Sequence, residues 1–467
     1  MTPLPRGEEE EMILKQIKYY IILFVSAVTL YNCTDVPNDL VTNSAPETYL
    51  SLFPDSVISP SITRIKITWW GDDPDGLIQG YRFSFDSTNW TYSEANDSTF
   101  QLVIVGNDST FRFWVAAVDD KGNIDPTPAT NLYPVFNSPP KVSFNVGTEI
   151  PDTSFTVGIF SWTGTDPDGN NSISKYYWAL NDTTAWNELP ATANTLTVRD
   201  NNGLVPNSNN KLYLKVKDIA GTFSPVVTMP DSTDTWYVRQ PQGRILLIDD
   251  YPGSILDNGA AATFYQSALD SFGLYSKLDI KTSGGANLPK IVSMFTETLK
   301  LFQCVVWYAN RGNAAVDNAN FDLAQQTLPF YLVAGGKVFF STGFPNAIDQ
   351  QGSIINFAPI DSVTSFQANM PFQTQIVVVD NSYPLLEAGS PAPDAVRGIK
   401  YGSSASVVYK IPFNPPYDPA QLTVCIKDAA VNPKVIFLSL PLNRMNGNGN
   451  ATYFLRRAIG TDLGIIN

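Results

Sequence analysis

Two neighbouring carboxylates at the end of an apolar run are the first residues of this chain that could do chemistry. Residues 245–248 are all apolar and lead into Asp249 and Asp250, which a Pro-Gly turn follows. Such a run predicts a buried strand, and in open α/β sheets ligands bind beyond the carboxyl ends of the strands. The two acids could therefore line a ligand pocket, or they could simply cap the following loop and helix. The sequence leaves both interpretations open.

Two further strand ends carry polar side chains that would lie at the same edge. Asn310 and Arg311 follow the run CVVWYA, and Ser341 and Thr342 follow the run KVFF. With the two aspartates they make a polar group of residues that contains both signs of charge. We therefore predict a ligand pocket lined by these six residues.

A second acidic pattern occurs twice in the chain. Asp73-Pro-Asp75-Gly recurs as Asp166-Pro-Asp168-Gly, in identical order. Two carboxylates separated by one residue and followed by glycine resemble the start of a calcium-binding loop, although neither copy continues as an EF-hand. The interpretation that we favour is a turn, in which proline presets φ, aspartate caps its own backbone and glycine takes φ > 0. Calcium at these four aspartates is the alternative.

The composition excludes several kinds of site. The 467 residues contain no histidine, so Ser-His-Asp catalysis, Cys-His catalysis and His-ligated zinc are excluded within this chain. The formal net charge of −14 argues against binding to a nucleic-acid backbone, which requires a positive surface. Hydrophobic residues make up 43% of the chain, which indicates a folded protein.

The N-terminal residues predict export. Lys15 and Lys18 precede an apolar run of about 13 residues, which has the length of a signal-peptide core and is short for a membrane span. The acidic leader before Met12 is unlike a signal peptide, so we predict that Met12 is the true start. The end of the run at Cys33 resembles a bacterial lipobox, although the two preceding residues are larger than usual. This resemblance implies a lipid on Cys33, with ordinary signal cleavage or a retained anchor as alternatives.

The segments that must position the acidic repeats are predicted to be short strands. Runs rich in Val, Ile, Phe, Tyr and Trp are bounded by Gly, Pro, Asn and Asp, and Trp69 and Trp162 keep the same offset as the acidic motifs. The two tryptophans are predicted to fill the cores of tandem β-sandwiches. The pattern resembles fibronectin type III and related immunoglobulin-like modules of bacterial surface proteins. The predicted segments are a signal peptide at 1–33, a tether at 34–45, and sandwiches at 46–138 and 139–240.

From residue 243 onward, apolar runs alternate with helical stretches, which predicts an α/β three-layer domain with a mainly parallel sheet over 243–467. The stretches LLIDDYPG, LVAGGKVFFSTG and VIFLSLPLNRM resemble class I glutamine-amidotransferase-like domains, a flavodoxin-like fold. The resemblance puts Ser341 or Thr342 where catalytic members carry a cysteine. Because the chain has no histidine to activate either hydroxyl, we predict no catalytic residue. Cys304 and Cys425 are predicted to be buried free thiols, with a disulfide between them as the alternative.

The expected function is non-enzymatic. We predict an exported lipoprotein of the cell envelope, anchored to the outer membrane by its N-terminal lipid and facing the periplasm or the surface. Its sandwiches would act as a spacer, and its α/β head would bind an envelope protein or glycan or serve a structural role; we expect no nucleic-acid partner and no cofactor other than calcium. One alternative is a hydrolase acting on envelope glycans or peptides through the α/β domain. Another is an accessory subunit of a secretion or surface assembly.

Overall fold

The computed structural model describes residues 13–21, 42–51, 64–102, 108–251, 259–281, 288–309, 320–344, 356–364, 370–393, 396–411 and 422–465. The chain forms two compact units, Met1–Asn137 and Ser138–Asn467. Residues 13–21 are helical. Among the described residues, no helix is long and apolar enough to cross a membrane. Cys33 and the predicted tether up to residue 41 lie outside the described residues.

The first unit is a β-sandwich. Its described strands are β1 (Glu47–Leu50), β2 (Arg64–Asp72), β3 (Ile78–Ser84), β4 (Thr91–Ser93), β5 (Asp97–Gln101), β6 (Asp108–Asp119) and β7 (Ala129–Phe136). They form one sheet of order β1-β2-β5 and a second of order β4-β3-β6-β7. Trp69 is fully buried, and its ring lies 5.6 Å from that of Phe113 on β6. The predicted core role of Trp69 is therefore confirmed.

The second sandwich opens the second unit and repeats this design. Its strands are β8 (Lys141–Phe144), β9 (Thr153–Ser154), β10 (Val157–Thr165), β11 (Ile173–Leu180), β12 (Asn187–Pro190), β13 (Thr195–Arg199), β14 (Ser208–Asn210), β15 (Leu212–Asp218), β16 (Val227–Met229) and β17 (Trp236–Val238), with 3-10 turns at Asn170–Ser172 and Asp200–Asn202. The two main sheets are β13-β10-β8 and β12-β11-β15-β16, and β14-β17-β9 form a small third sheet. If the three strands of the small sheet are set aside, the connectivity matches that of the first sandwich. Trp162 is buried as its counterpart Trp69 is.

The rest of the second unit is an α/β domain. Its strands are β18 (Ile245–Asp250), β19 (Ser276–Asp279), β20 (Cys304–Ala309), β21 (Lys337–Ser341), β22 (Ile360–Val363), β23 (Val377–Val378), β24 (Ile399–Tyr401), β25 (Ala405–Ile411), β26 (Leu422–Asp428) and β27 (Val435–Leu438). Its helices are α1 (Ala260–Leu269), α2 (Val292–Leu299), α3 (Phe321–Val333) and α4 (Ala451–Arg457), with 3-10 turns at Asp270–Phe272 and Leu442–Met445 and a π turn at Ala458–Asp462.

Eight of these strands form one mixed sheet of order β19-β18-β20-β21-β27-β26-β25-β23. The first five strands are mutually parallel, and β26, β25 and β23 continue the sheet antiparallel. Helices α1 and α4 cover one face of the sheet, where Tyr265 and Phe454 join the core. Helices α2 and α3 cover the other face, where Phe295 and Leu328 join a second core. The predicted three layers are present, and the parallel part is confined to one half of the sheet.

The second sandwich packs directly on the α/β domain. Phe155 of the sandwich belongs to the core beneath α2 and α3, and its ring lies 5.2 Å from that of Phe302. Met294 of α2 in turn belongs to the core of the sandwich. Arg199 and Glu297 form an ion pair across the same contact. The sandwich and the α/β domain therefore share apolar cores.

Candidate functional site

The two aspartates at the end of β18 face opposite sides of the sheet. Successive side chains of a strand alternate between its two faces. Asp249 lies opposite Tyr308 of β20, whose side chain belongs to the core beneath α1 and α4. Asp250 accepts a hydrogen bond from the indole N–H of Trp307, which lies in the core beneath α2 and α3. The two predicted site acids therefore do not converge on one point.

Asp250 is fully buried and tied to the start of α3. Its carboxylate accepts hydrogen bonds from the backbone N–H of Asn320 at 2.6 Å, from the side-chain amide of Asn320 at 2.5 Å and from Trp307 Nε1 at 3.1 Å. Lys281 Nζ lies 3.6 Å away. Burial raises the pKa of Asp250, and the bonds from Asn320 and Trp307 oppose that shift. Because Asn320 immediately precedes α3, this carboxylate joins the end of β18 to the first turn of that helix.

On the other face, the side chains of Tyr308 and Tyr265 lie between Asp249 and Ser341. The Tyr308 ring stacks on the Tyr265 ring with centroids 4.1 Å apart. The Tyr265 hydroxyl donates a hydrogen bond to Ser341 Oγ at 2.9 Å. Burial raises the pKa values of Asp249, Tyr265 and Tyr308 alike, so this face favours the neutral form of each group.

Ser341 is one of the two residues, with Thr342, that the resemblance puts at the nucleophile position. Its hydroxyl is fully buried, donates to the carbonyl oxygen of Leu440 at 2.8 Å and accepts from the backbone N–H of Leu442 at 3.1 Å. With the bond from Tyr265, this fills the one donor and two acceptor positions of a serine hydroxyl. A backbone carbonyl cannot take the serine proton as a general base, so the hydroxyl is held by structural bonds and not by a catalytic partner.

The remaining predicted pocket residues divide into two groups. Thr342 is buried next to Ser341; its backbone N–H donates to Leu438 at 3.0 Å and its hydroxyl donates to Gly343 at 3.2 Å. Asn310 and Arg311 lie outside the described residues. The structure thus brings Asp249 and Ser341 to one face of the sheet, joined through two tyrosines, and separates Asp250 from them. Sequence reasoning missed both tyrosines, because they contact the site from α1 and from within β20.

The acidic repeats of the sandwiches form turns, as favoured. In the second copy the Asp168 N–H donates to Asp166 Oδ1 at 2.8 Å, and Gly169 has a φ of 109°. In the first copy the Asp75 N–H lies 3.3 Å from Asp73 Oδ1, but Gly76 does not have a positive φ, so the predicted glycine conformation is confirmed only in the second copy. Across the described part of the chain, no three or more His, Cys, Asp or Glu side chains already stand together as a metal centre.

The segment that enters each sandwich is bonded to the second acid of its repeat. The backbone N–H of Ser44 lies 3.1 Å from both carboxylate oxygens of Asp75, and the backbone N–H of Ser138 lies 2.9 Å from Asp168 Oδ2. The sequence signal for this contact is the recurrence of Asn-Ser-Ala-Pro at 43–46 as Asn-Ser-Pro-Pro at 137–140. That recurrence has nearly the same spacing as the acidic repeat, so it is a sequence signal for this contact.

The two cysteines of the α/β domain behave as predicted. Cys304 and Cys425 are both buried and free, so the alternative disulfide is not formed. Burial raises the pKa of the Cys304 thiol to about 12 and raises the pKa of Cys425 further still. Neither thiol is an ionised nucleophile at neutral pH.

No protein-family model matches this chain, and no curated protein matches it in sequence. Similar solved structures include the fibronectin(III)-like modules of CbhA from Clostridium thermocellum, at 13% identity over 41% of this chain and 94% of that one, with a TM-score of 0.18. A two-domain fibronectin type III segment of chicken tenascin is 17% identical over 40% of this chain and 97% of that one, with a TM-score of 0.21. The glutaminase domain of CTPS from Trypanosoma brucei, solved with bound acivicin, is 8% identical over 47% of this chain and 95% of that one, with a TM-score of 0.28. These TM-scores are too low to carry an argument, so the fold description rests on the strand order itself.

Proposed function

We propose that this protein is a non-enzymatic lipoprotein of the cell envelope, in which β-sandwich spacer domains present a binding or structural α/β head. The observation that supports this most strongly is the state of Ser341. A nucleophile needs an exposed hydroxyl and a base, whereas this hydroxyl is fully buried and bonded to Tyr265 and to two backbone groups. The chain also has no histidine that could supply a base.

The shared core of the second unit supports a presenting role for the sandwich. Phe155 and Met294 each lie in the core of the neighbouring domain, and the Arg199–Glu297 ion pair crosses the same contact. A domain joined through apolar cores keeps a fixed orientation, unlike one joined by a solvated linker. The second sandwich would therefore hold the head in a fixed pose and would not act as a flexible tether.

The envelope location rests on the N-terminal sequence. We expect the lipid on Cys33 to anchor the chain to the outer membrane, and we expect its partner to be an envelope protein or glycan. The test is expression of the full chain in a Gram-negative host with labelled palmitate. Label should enter the wild-type chain and the Cys425→Ala control, and it should be lost in Cys33→Ala. Equal labelling of Cys33→Ala would refute lipid attachment at that cysteine.

The non-enzymatic part of the proposal has its own test. The purified full chain is incubated with isolated envelope glycan and with envelope peptides, and the release of soluble fragments is followed. We expect no release above buffer. Release by the wild type that disappears in Ser341→Ala and in Asp249→Asn, while both variants keep their circular dichroism spectrum, would favour the hydrolase and overturn the proposal.

A further inference from the structure

The acidic turn of the second sandwich buries negative charge without a matching positive group. Asp166 and Asp168 are 6% and 0% exposed, yet Asp166 Oδ2 and Asp168 Oδ1 have no hydrogen-bond donor. Among the described residues, no Lys or Arg forms an ion pair with either carboxylate. A buried carboxylate oxygen without a donor or a cation is costly, so two in one turn indicate that something else completes them.

A third carboxylate lies beside this pair. Asp218 ends β15, is almost fully buried and lies close enough to Asp166 to interact with it electrostatically. One oxygen of Asp218 accepts the backbone N–H of Thr222 at 2.7 Å. The backbone N–H of Ser138 reaches Asp168 at 2.9 Å from the segment that enters the sandwich. Asp218 thus lies near the acidic turn where the chain enters this domain, without completing a three-acid group.

The first sandwich repeats part of this arrangement, although Asp75, the counterpart of Asp168, is exposed and accepts the Ser44 N–H with both oxygens. Asp73, the counterpart of Asp166, also leaves its Oδ2 buried without a donor, as does Asp125 in the neighbouring loop. Asp119, the counterpart of Asp218, ends β6 and accepts backbone N–H groups of its own turn at 2.8 and 2.9 Å. Two loops with different flanking residues therefore leave the same carboxylate oxygen unsatisfied.

We propose that the acidic turn of the second sandwich binds a calcium ion through Asp166 and Asp168, with Asp218 beside it. Calcium takes six to eight oxygen ligands in a flexible geometry that includes backbone carbonyls and water. Two carboxylates can therefore anchor the ion if backbone carbonyls and water supply the remaining ligands. Magnesium is the poorer fit, since it demands a near-octahedral shell and gives up water reluctantly.

The test follows the full chain by hydrogen-deuterium exchange and by calorimetry, in calcium and in excess EGTA. Calcium should slow exchange in peptides covering residues 138–144 and 164–175 and should raise the melting temperature of the second unit by about 5 °C or more. Asp168→Asn and Asp166→Asn should lose both responses. Asp234→Asn is the matched control, because Asp234 is an exposed aspartate of the same sandwich and undergoes the same change of charge.

A second comparison keeps the test independent of folding defects. In EGTA, Asp168→Asn should melt at or above the temperature of the wild type, because it removes a buried charge that no cation then compensates. Its oxygen can still accept the Ser138 N–H.

Three outcomes would overturn the inference. One is a wild type that ignores calcium but is stabilised by mild acid, which would mean that the carboxylates share a proton. Another is a calcium response that survives in both variants. The third is equal protection by magnesium at the same concentration.

Discussion

Replacing Ser341 with alanine should destabilise the second unit without touching any catalytic function. The substitution leaves three buried groups without their partner: the Tyr265 hydroxyl at 2.9 Å, the Leu440 carbonyl at 2.8 Å and the Leu442 N–H at 3.1 Å. A buried polar group left unpaired costs about 1–3 kcal/mol. Because a small cavity lets the neighbours relax in part, we expect a loss of about 3–5 kcal/mol in the free energy of unfolding.

The tyrosine provides an internal check on that magnitude. Tyr265→Phe removes a single donor, and Ser341 keeps its two backbone partners, so this change should cost only about 1 kcal/mol. The double variant has no Tyr265 hydroxyl, so no tyrosine donor is left without a partner. The double variant should therefore be more stable than the sum of the two single losses predicts, by about 1–2 kcal/mol.

The assay is urea unfolding of the full chain, followed by near-ultraviolet circular dichroism, for the wild type and the three variants. An unchanged midpoint in Ser341→Ala would refute the reasoning, because it would mean that the hydroxyl is not bound in this network. Strict additivity in the double variant would refute the Tyr265–Ser341 hydrogen bond in particular.

Two further predictions concern pH and the contact between domains. Burial raises the pKa of Asp249 above its ordinary value of 3.8, so its contribution to stability is complete below that value and is lost as the pH rises through the folded-state pKa. Asp249→Asn should therefore flatten the dependence of melting temperature on pH between mildly acidic and neutral conditions, and an unchanged slope would contradict the shift. Phe302→Ala should cost about 3 kcal/mol and split the unfolding of the second unit into two transitions, because the ring packs on Phe155. Arg199→Ala, which breaks only a partly exposed ion pair, should cost less than about 1 kcal/mol and keep a single transition; a single transition in Phe302→Ala would refute the shared core.

The positions of the strands could be predicted from the sequence better than their directions. Residues 435–438 are all apolar and residues 422–426 are all buried, and a strand buried on both faces looks the same whether its neighbour runs parallel or antiparallel. The sequence therefore did not indicate the antiparallel strands, whereas the strand–helix alternation before residue 344 correctly indicated four of the five parallel strands.

The prediction that Asp249 and Asp250 line one pocket was wrong, and the sequence alone could have shown this. Asp249 and Asp250 are adjacent, and the period of two in a strand already places them on opposite faces. The partners of Ser341 could not have been found in this way. Tyr265 is 76 residues away in sequence, and Leu440 and Leu442 contribute only backbone groups, which carry no residue-type signal.

The shared core also decides where this chain can be cut. The compositional boundary near residues 240–243 separates two kinds of secondary structure, but a break there would expose Phe155 on one fragment and Phe302 and Met294 on the other. Both fragments would expose an apolar surface and would therefore tend to self-associate. The boundary that leaves each piece with an intact interior lies between Asn137 and Ser138. We therefore expect a fragment that starts at Ser138 to be the smallest form of the α/β domain that folds without exposing the shared core, with the second sandwich as a permanent part of it.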